Sequence, residues 1–143
     1  MTGEPTVVFK ITDVPLIESP NGRERDSVMV TDGACGAQQF SAGLFFVRPG
    51  TKCHEGQHAG QEELYYIFQG QGKVVIDDVA HDVEAGDVVF IPDGCVHYPW
   101  NDSDETLGLF WVIPDRWSDM PEIDEVLSQW REVPHDSAWG PLP

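Results

Sequence analysis

Between residues 7 and 113 every apolar run is short, rich in β-branched and aromatic side chains, and closed by Gly, Pro, Asp or Asn. Strands whose side chains alternate between two faces give that pattern, whereas a helix with its 3.6-residue period does not. The chain is therefore expected to be all-β, a sandwich or a barrel. Candidate strands cover 7–11, 27–30, 38–48, 63–68, 73–76, 88–91 and 107–113. Gly70-Gln-Gly72 permits positive φ between two of them, and Asp77-Asp78 suits a tight hairpin. Near the end, Asp119 is placed to cap a short helix with Pro121 and Glu122 in its first turn. Ile123, Val126, Leu127 and Trp130 follow at helical spacing, so this helix is expected to pack on the outside of the β-structure. The closing VPHDSAWGPLP has no periodicity and reads as an extended arm or a frayed tail.

A length of 143 residues suits one domain spanning 1–143. The formal charge of -17 repels phosphate backbones and anionic membrane surfaces, which excludes nucleic acid and lipid headgroups as expected partners. No apolar run approaches the roughly 18 residues of a membrane span. The first residues, MTGEPTVVFKITDVP, have neither a basic-then-apolar leader nor a small-residue cleavage site, so a cytoplasmic location is expected. Cys35, Cys53 and Cys95, an odd and widely spaced set, are expected to be reduced thiols.

Two stretches carry more specific information. In GDVVFIPDGCVHYPWN the fixed positions are Gly86, Pro92, Gly94, His97 and Asn101, and the stretch resembles the second motif of the cupins. Upstream, PGTKCHEGQHAGQEELYYIFQG sets Gly50, His58, Glu63 and Gly70 at spacings that resemble the first cupin motif. One position departs from it: the histidine expected two residues before His58 is Gly56. The resemblance implies a double-stranded β-helix, or jelly-roll barrel, with a short C-terminal helix. In that frame the motif core covers 50–101, N-terminal strands lie within 7–48, and the helix and tail occupy 119–143. It also implies one divalent metal ion inside the barrel and, for a chain of this size, a homodimer.

Residues two apart on a strand share a face, so Glu63, Tyr65 and Ile67 are expected to point inward together. A buried carboxylate needs a partner or a metal, and imidazole with carboxylate suits first-row divalent ions. The expected ligands are His58, Glu63 and His97, holding Fe(II) first, with Mn(II), Ni(II) or Zn(II) suiting the same donors. For the missing histidine two readings stand. Either His54, of the same parity, becomes a fourth ligand, or it faces solvent and the vacant position takes water or substrate. Tyr65 and His54 are candidate proton carriers, and Phe46, Tyr65, Cys95 and Trp111 candidate pocket walls. His81 and His135, outside both motifs, are read as ordinary hydrogen-bonded residues.

The expected activity is that of a metal-dependent enzyme on a small substrate that chelates through oxygen, first a dioxygenase-type oxidoreductase. A redox-neutral lyase or isomerase comes next, and a non-catalytic small-ligand or metal-binding module third. The N-terminal VVFKITDVP is a candidate to add a strand to a neighbouring copy's sheet.

Overall fold

The computed structural model describes residues 4–54 and 61–135. Eleven strands are present among them: β1 (Leu16–Glu18), β2 (Glu24–Val30), β3 (Ser41–Val47), β4 (Thr51–Lys52), β5 (Glu63–Gln69), β6 (Gln71–Ile76), β7 (Val79–Glu84), β8 (Val88–Ile91), β9 (His97–Asn101), β10 (Leu107–Ile113) and β11 (Arg131–Val133). Two short helices accompany them, α1 (Asp32–Cys35) and α2 (Pro121–Leu127). The strands form a seven-stranded sheet ordered β11-β1-β2-β3-β10-β5-β8 and a four-stranded sheet ordered β4-β9-β6-β7. All pairings are antiparallel, and the inward faces of the two sheets enclose one apolar core. None of the helices described is long and apolar enough to cross a membrane.

The turn chemistry follows the sequence. Asp77 and Asp78, at φ 47° and 68°, close the β6–β7 hairpin in the left-handed region that a two-residue turn needs. Gly70 joins β5 to β6 at φ 76°, and a Cβ there would stand 2.3 Å from the Thr106 carbonyl oxygen. No other residue fits that approach.

Several expectations are corrected. Residues 7–10 lie in no strand, with Val7 and Val8 86% and 88% exposed, and Ile11–Asp13 forms a single 3-10 turn. Strand β2 begins at Glu24 rather than at residue 27, and β3 is confined to Ser41–Val47. Asp119 sits in the 3-10 turn Trp117–Asp119; Met120 is the N-cap of α2 and Pro121 opens it. Of the closing segment, read as an extended arm or a frayed tail, Val133 belongs to β11, which pairs with β1 from Leu16↔Val133 to Glu18↔Arg131. Residues 136–143 lie outside the described part.

Candidate functional site

Glu63 opens β5 in the larger sheet, and His97 opens β9 in the smaller one. Because both are the first residues of inward-facing runs, the two sheets bring them together at one end of the core. His97 Nε2 lies 2.8 Å from Glu63 Oε1, with both side chains under 9% exposed. The other ring nitrogen, Nδ1, bonds the Cys95 carbonyl oxygen at 3.0 Å, which fixes the ring's orientation. Burial works against a charged His97 imidazole, but the Glu63 carboxylate and the Cys95 carbonyl outweigh it and hold its pKa above the ordinary value.

The pair faces a cavity of about 260 Å³. Its walls come from both sheets: Tyr65 on β5, Phe45 on β3, Leu109, Trp111 and Ile113 on β10, and Pro99 on β9. Ile123, Val126, Leu127 and Trp130 also line it, so α2 and the turn after it roof the cavity. That corrects the outside packing expected from the sequence: the apolar stripe of α2 faces the cavity. Trp111 needs a gap on the neighbouring strand. Gly43, its register partner on β3, supplies it, since a Cβ at Gly43 would stand 2.6 Å from the Trp111 ring.

Beside Trp111, on the same sheet, lies a group the sequence reading missed. Asp26 on β2 is 7% exposed, lines the cavity and accepts a hydrogen bond from Trp111 Nε1 at 3.2 Å. Burial pushes its carboxyl up to about 8, against the Trp111 and Ser27 hydrogen bonds, with a further push from the Glu63 and Glu24 carboxylates. Asp26 thus carries a proton at neutral pH. The signal was available in the alternation Glu24, Asp26, Val28, which puts two carboxylates in phase with an apolar residue packed on the core.

The remaining candidates fall as follows. Tyr65 is buried in the cavity wall, edge-on to His97 at 6.2 Å between ring centroids, and burial followed by the nearby acidic groups raises its pKa well above the ordinary value. It stays a phenol. His54 also lines the cavity, on an exposed position at its open side. His58 and Gly56 lie outside the described residues. Trp111 is a wall, whereas Phe46 is not: it points to the opposite face of β3, packs edge-on against Phe68 in a second apolar cluster, and leaves the wall position to Phe45. The Cys95 side chain is likewise not among the cavity's lining, and its contribution is the carbonyl that holds His97. Cys53 does line the cavity, but burial and then Glu24 push its thiol far up, which leaves it un-ionised. The last motif residue, Asn101, is fully buried and donates to the Val47 and Glu105 carbonyls at 2.9 and 2.7 Å, a structural role.

Two antiparallel sheets enclosing a core, with an acid and a histidine converging at one end, define a double-stranded β-helix with an internal site. Known proteins agree. The Cupin domain family matches residues 43–113. Protein SchB of Streptomyces halstedii is 32% identical over 99 residues, 68% of this chain and 69% of its own. The polyketide synthase CurC of Streptomyces cyaneus is 30% identical over 97 residues, 67% of this chain and 63% of its own. Among solved structures, the polyketide cyclase RemF of Streptomyces resistomycificus superposes with a TM-score of 0.66 at 23% identity, covering 76% of this chain and 79% of that one. The chain belongs to the cupin family.

Proposed function

We propose that this cupin is a metal-supported, redox-neutral enzyme of the cyclase or isomerase type, acting on a small β-dicarbonyl or polyketide-like substrate. One observation carries the reading: Asp26, a carboxyl that titrates near neutrality, faces the same apolar cavity as the Glu63–His97 pair. A group of that pKa both gives and takes a proton at neutral pH, as enolisation and ring closure require. The substrate class is supported by CurC, a polyketide synthase, and by RemF, a polyketide cyclase.

The chemistry of the pair suits a divalent ion. A carboxylate oxygen and an imidazole nitrogen, hydrogen-bonded to one another at 2.8 Å, converge on the cavity, and the imidazole is held from behind by a carbonyl. Among the described residues no cluster of three or more His, Cys, Asp or Glu side chains is placed to hold an ion. Glu63 and His97 would hold it together with His58, with His54 as the further candidate. A bound ion supplies a Lewis acid that polarises a substrate carbonyl.

The chain's own groups do the rest. The apolar side chains of β10 and α2 line the space that the substrate's carbon skeleton would occupy. Trp111 Nε1–H holds Asp26 Oδ1 and so aims the carboxyl. As an enol carbon attacks a second carbonyl carbon, Asp26 gives its proton to the oxygen becoming an alcohol, and the resulting carboxylate takes the proton that the enol oxygen releases. One carbon–carbon bond forms, and composition is unchanged until water leaves.

The test uses protein loaded in turn with Zn(II), Fe(II), Mn(II) and Ni(II) under argon with a synthetic linear 1,3,5-triketone, following the ring-closed product by absorbance and mass. Ring closure is expected without oxygen, with Asp26→Asn lowering kcat by about 10²-fold. Conversion that consumes dioxygen would return the site to dioxygenase chemistry, and no conversion with any of the four ions would refute the proposal.

A further inference from the structure

The cavity is apolar along most of its wall, and its polar side is acidic. Three carboxyls, Glu24, Asp26 and Glu63, line it at 7%, 7% and 8% exposure. Glu24 and Asp26 stand two residues apart on β2 and so share its inward face. Glu24 accepts a hydrogen bond from the Cys53 thiol, and its charge reaches the Asp26 carboxyl. Strand β5 brings Glu63 to the same cavity.

No Lys or Arg answers them. All eight Lys and Arg of the chain fall within the described residues, and none of them lines the cavity. Residues 1–3, 55–60 and 136–143, outside the described part, contain neither type. The two basic residues nearest along the chain turn away. Arg25, between Glu24 and Asp26, points to the other face of β2 and bonds Glu18 at 2.9 Å, and Lys52, next to Cys53, lies over the Trp100 ring at 4.7 Å.

Taking the cavity as the substrate site proposed above, we propose that it admits only substrates without a negative charge, polycarbonyl compounds whose acid end is esterified or missing, and that Glu24 enforces the exclusion of the free carboxylate. A carboxylate entering the cavity loses its water and finds no basic partner. Over the apolar walls of β10 and α2 it is buried without a counter-charge, which costs far more than burying the matching ester. At the polar side it meets charge of its own sign. A like charge about 6 Å away, in an effective dielectric of about 20, weakens binding on the order of a hundredfold. A divalent ion on Glu63 and His97 would not reverse this, because the Glu63 and Glu24 carboxylates balance its two positive charges. An uncharged polycarbonyl chain suits the same surroundings. Its carbon skeleton meets Leu109, Ile113 and Ile123, and an enol hydroxyl finds an acceptor in Glu24. The reaction that supplies such a substrate leaves its carboxyl as an ester or thioester, or has already removed it as carbon dioxide.

The test is isothermal titration calorimetry of the full chain at neutral pH, metal-free and zinc-loaded, with 4,6-dioxoheptanoate and with its methyl ester. The ester is expected to bind on the order of a hundredfold more tightly in both forms. Glu24→Gln should narrow the ratio to about tenfold by strengthening the acid's binding, an effect that the ester's greater hydrophobicity does not produce. Val126→Arg, on a position of the roof that is 57% exposed, should strengthen the acid's binding about tenfold as well. Equal binding of acid and ester by the wild type would overturn the proposal, as would a ratio that either variant leaves unmoved, or binding of neither compound. Ester-selective binding without ring closure of the triketone would uphold the exclusion and refute the cyclase reading, whereas ring closure with equal binding of acid and ester would do the opposite.

Discussion

Replacing Asp26 by Asn should change how stability depends on pH, in a direction fixed by where the carboxyl sits. In the folded chain it titrates at about 8, against an ordinary 3.8. Between those values the native state holds a proton that the unfolded chain has released, so stability falls as pH rises through that window. The slope is about 1.4 kcal/mol per pH unit, and at pH 7 the accumulated cost of Asp26 is about 4 kcal/mol. Asn has the same shape, still accepts from Trp111 through its oxygen, and cannot ionise. The stability gap favouring Asp26→Asn should therefore widen by about 3 kcal/mol between pH 5 and pH 7. Other titrating groups are common to both proteins and cancel in the difference. Urea unfolding of chelator-treated protein at pH 5, 6 and 7 measures it directly. A gap constant to about 0.5 kcal/mol would mean that Asp26 is ionised in the fold, and the proton relay assigned to it would fail.

Two further substitutions probe the scaffold around the site. Gly43→Ala places a Cβ 2.6 Å from both the Ser27 carbonyl oxygen and the Trp111 ring, so it should cost about 2–3 kcal/mol in thermal unfolding and weaken the near-ultraviolet circular dichroism of Trp111. An unchanged spectrum and melt would show that the indole does not lie against β3. Asp78→Val puts a β-branched residue at φ 68° and should cost on the order of 1–2 kcal/mol, whereas Asp78→Gly should not destabilise; equal effects would contradict the left-handed turn.

What could be read from the sequence, and what could not, divides along a physical line. The Glu63–His97 pair was legible because period-2 alternation and motif spacing fix which face a residue takes on a strand. Strands 88–91 and 107–113 were legible as well, being apolar runs bounded by turn residues. Strand β9 was hidden by Pro99, which ordinarily argues against a strand. Its carbonyl accepts from Cys53 N on the side where β4 has already ended at Lys52, so the missing N–H breaks no ladder bond. Strand β7 was hidden because five of its six residues are exposed and no apolar alternation marks it. Residues 7–10 misled in the opposite sense: their β-branched content fits a strand, but among the described residues no strand pairs with them. Asp26 was overlooked because composition alone treats an acidic residue as surface, and only its phase along β2 says otherwise. The α2 stripe announced a buried face without saying against what. Whether it packs on the barrel's outer wall or over its mouth depends on the path of residues 114–120, which periodicity does not encode.

Glu63 and His97 meet across the two sheets, where we propose that they form the floor of a divalent-ion site. Bound metal per chain, measured by elemental analysis after reconstitution with Zn(II) and exhaustive dialysis, tests it most directly. A single ion per chain is expected in the wild type, and its loss in both Glu63→Ala and His97→Ala, with the fold intact by circular dichroism. Unchanged metal content in the two variants would contradict it.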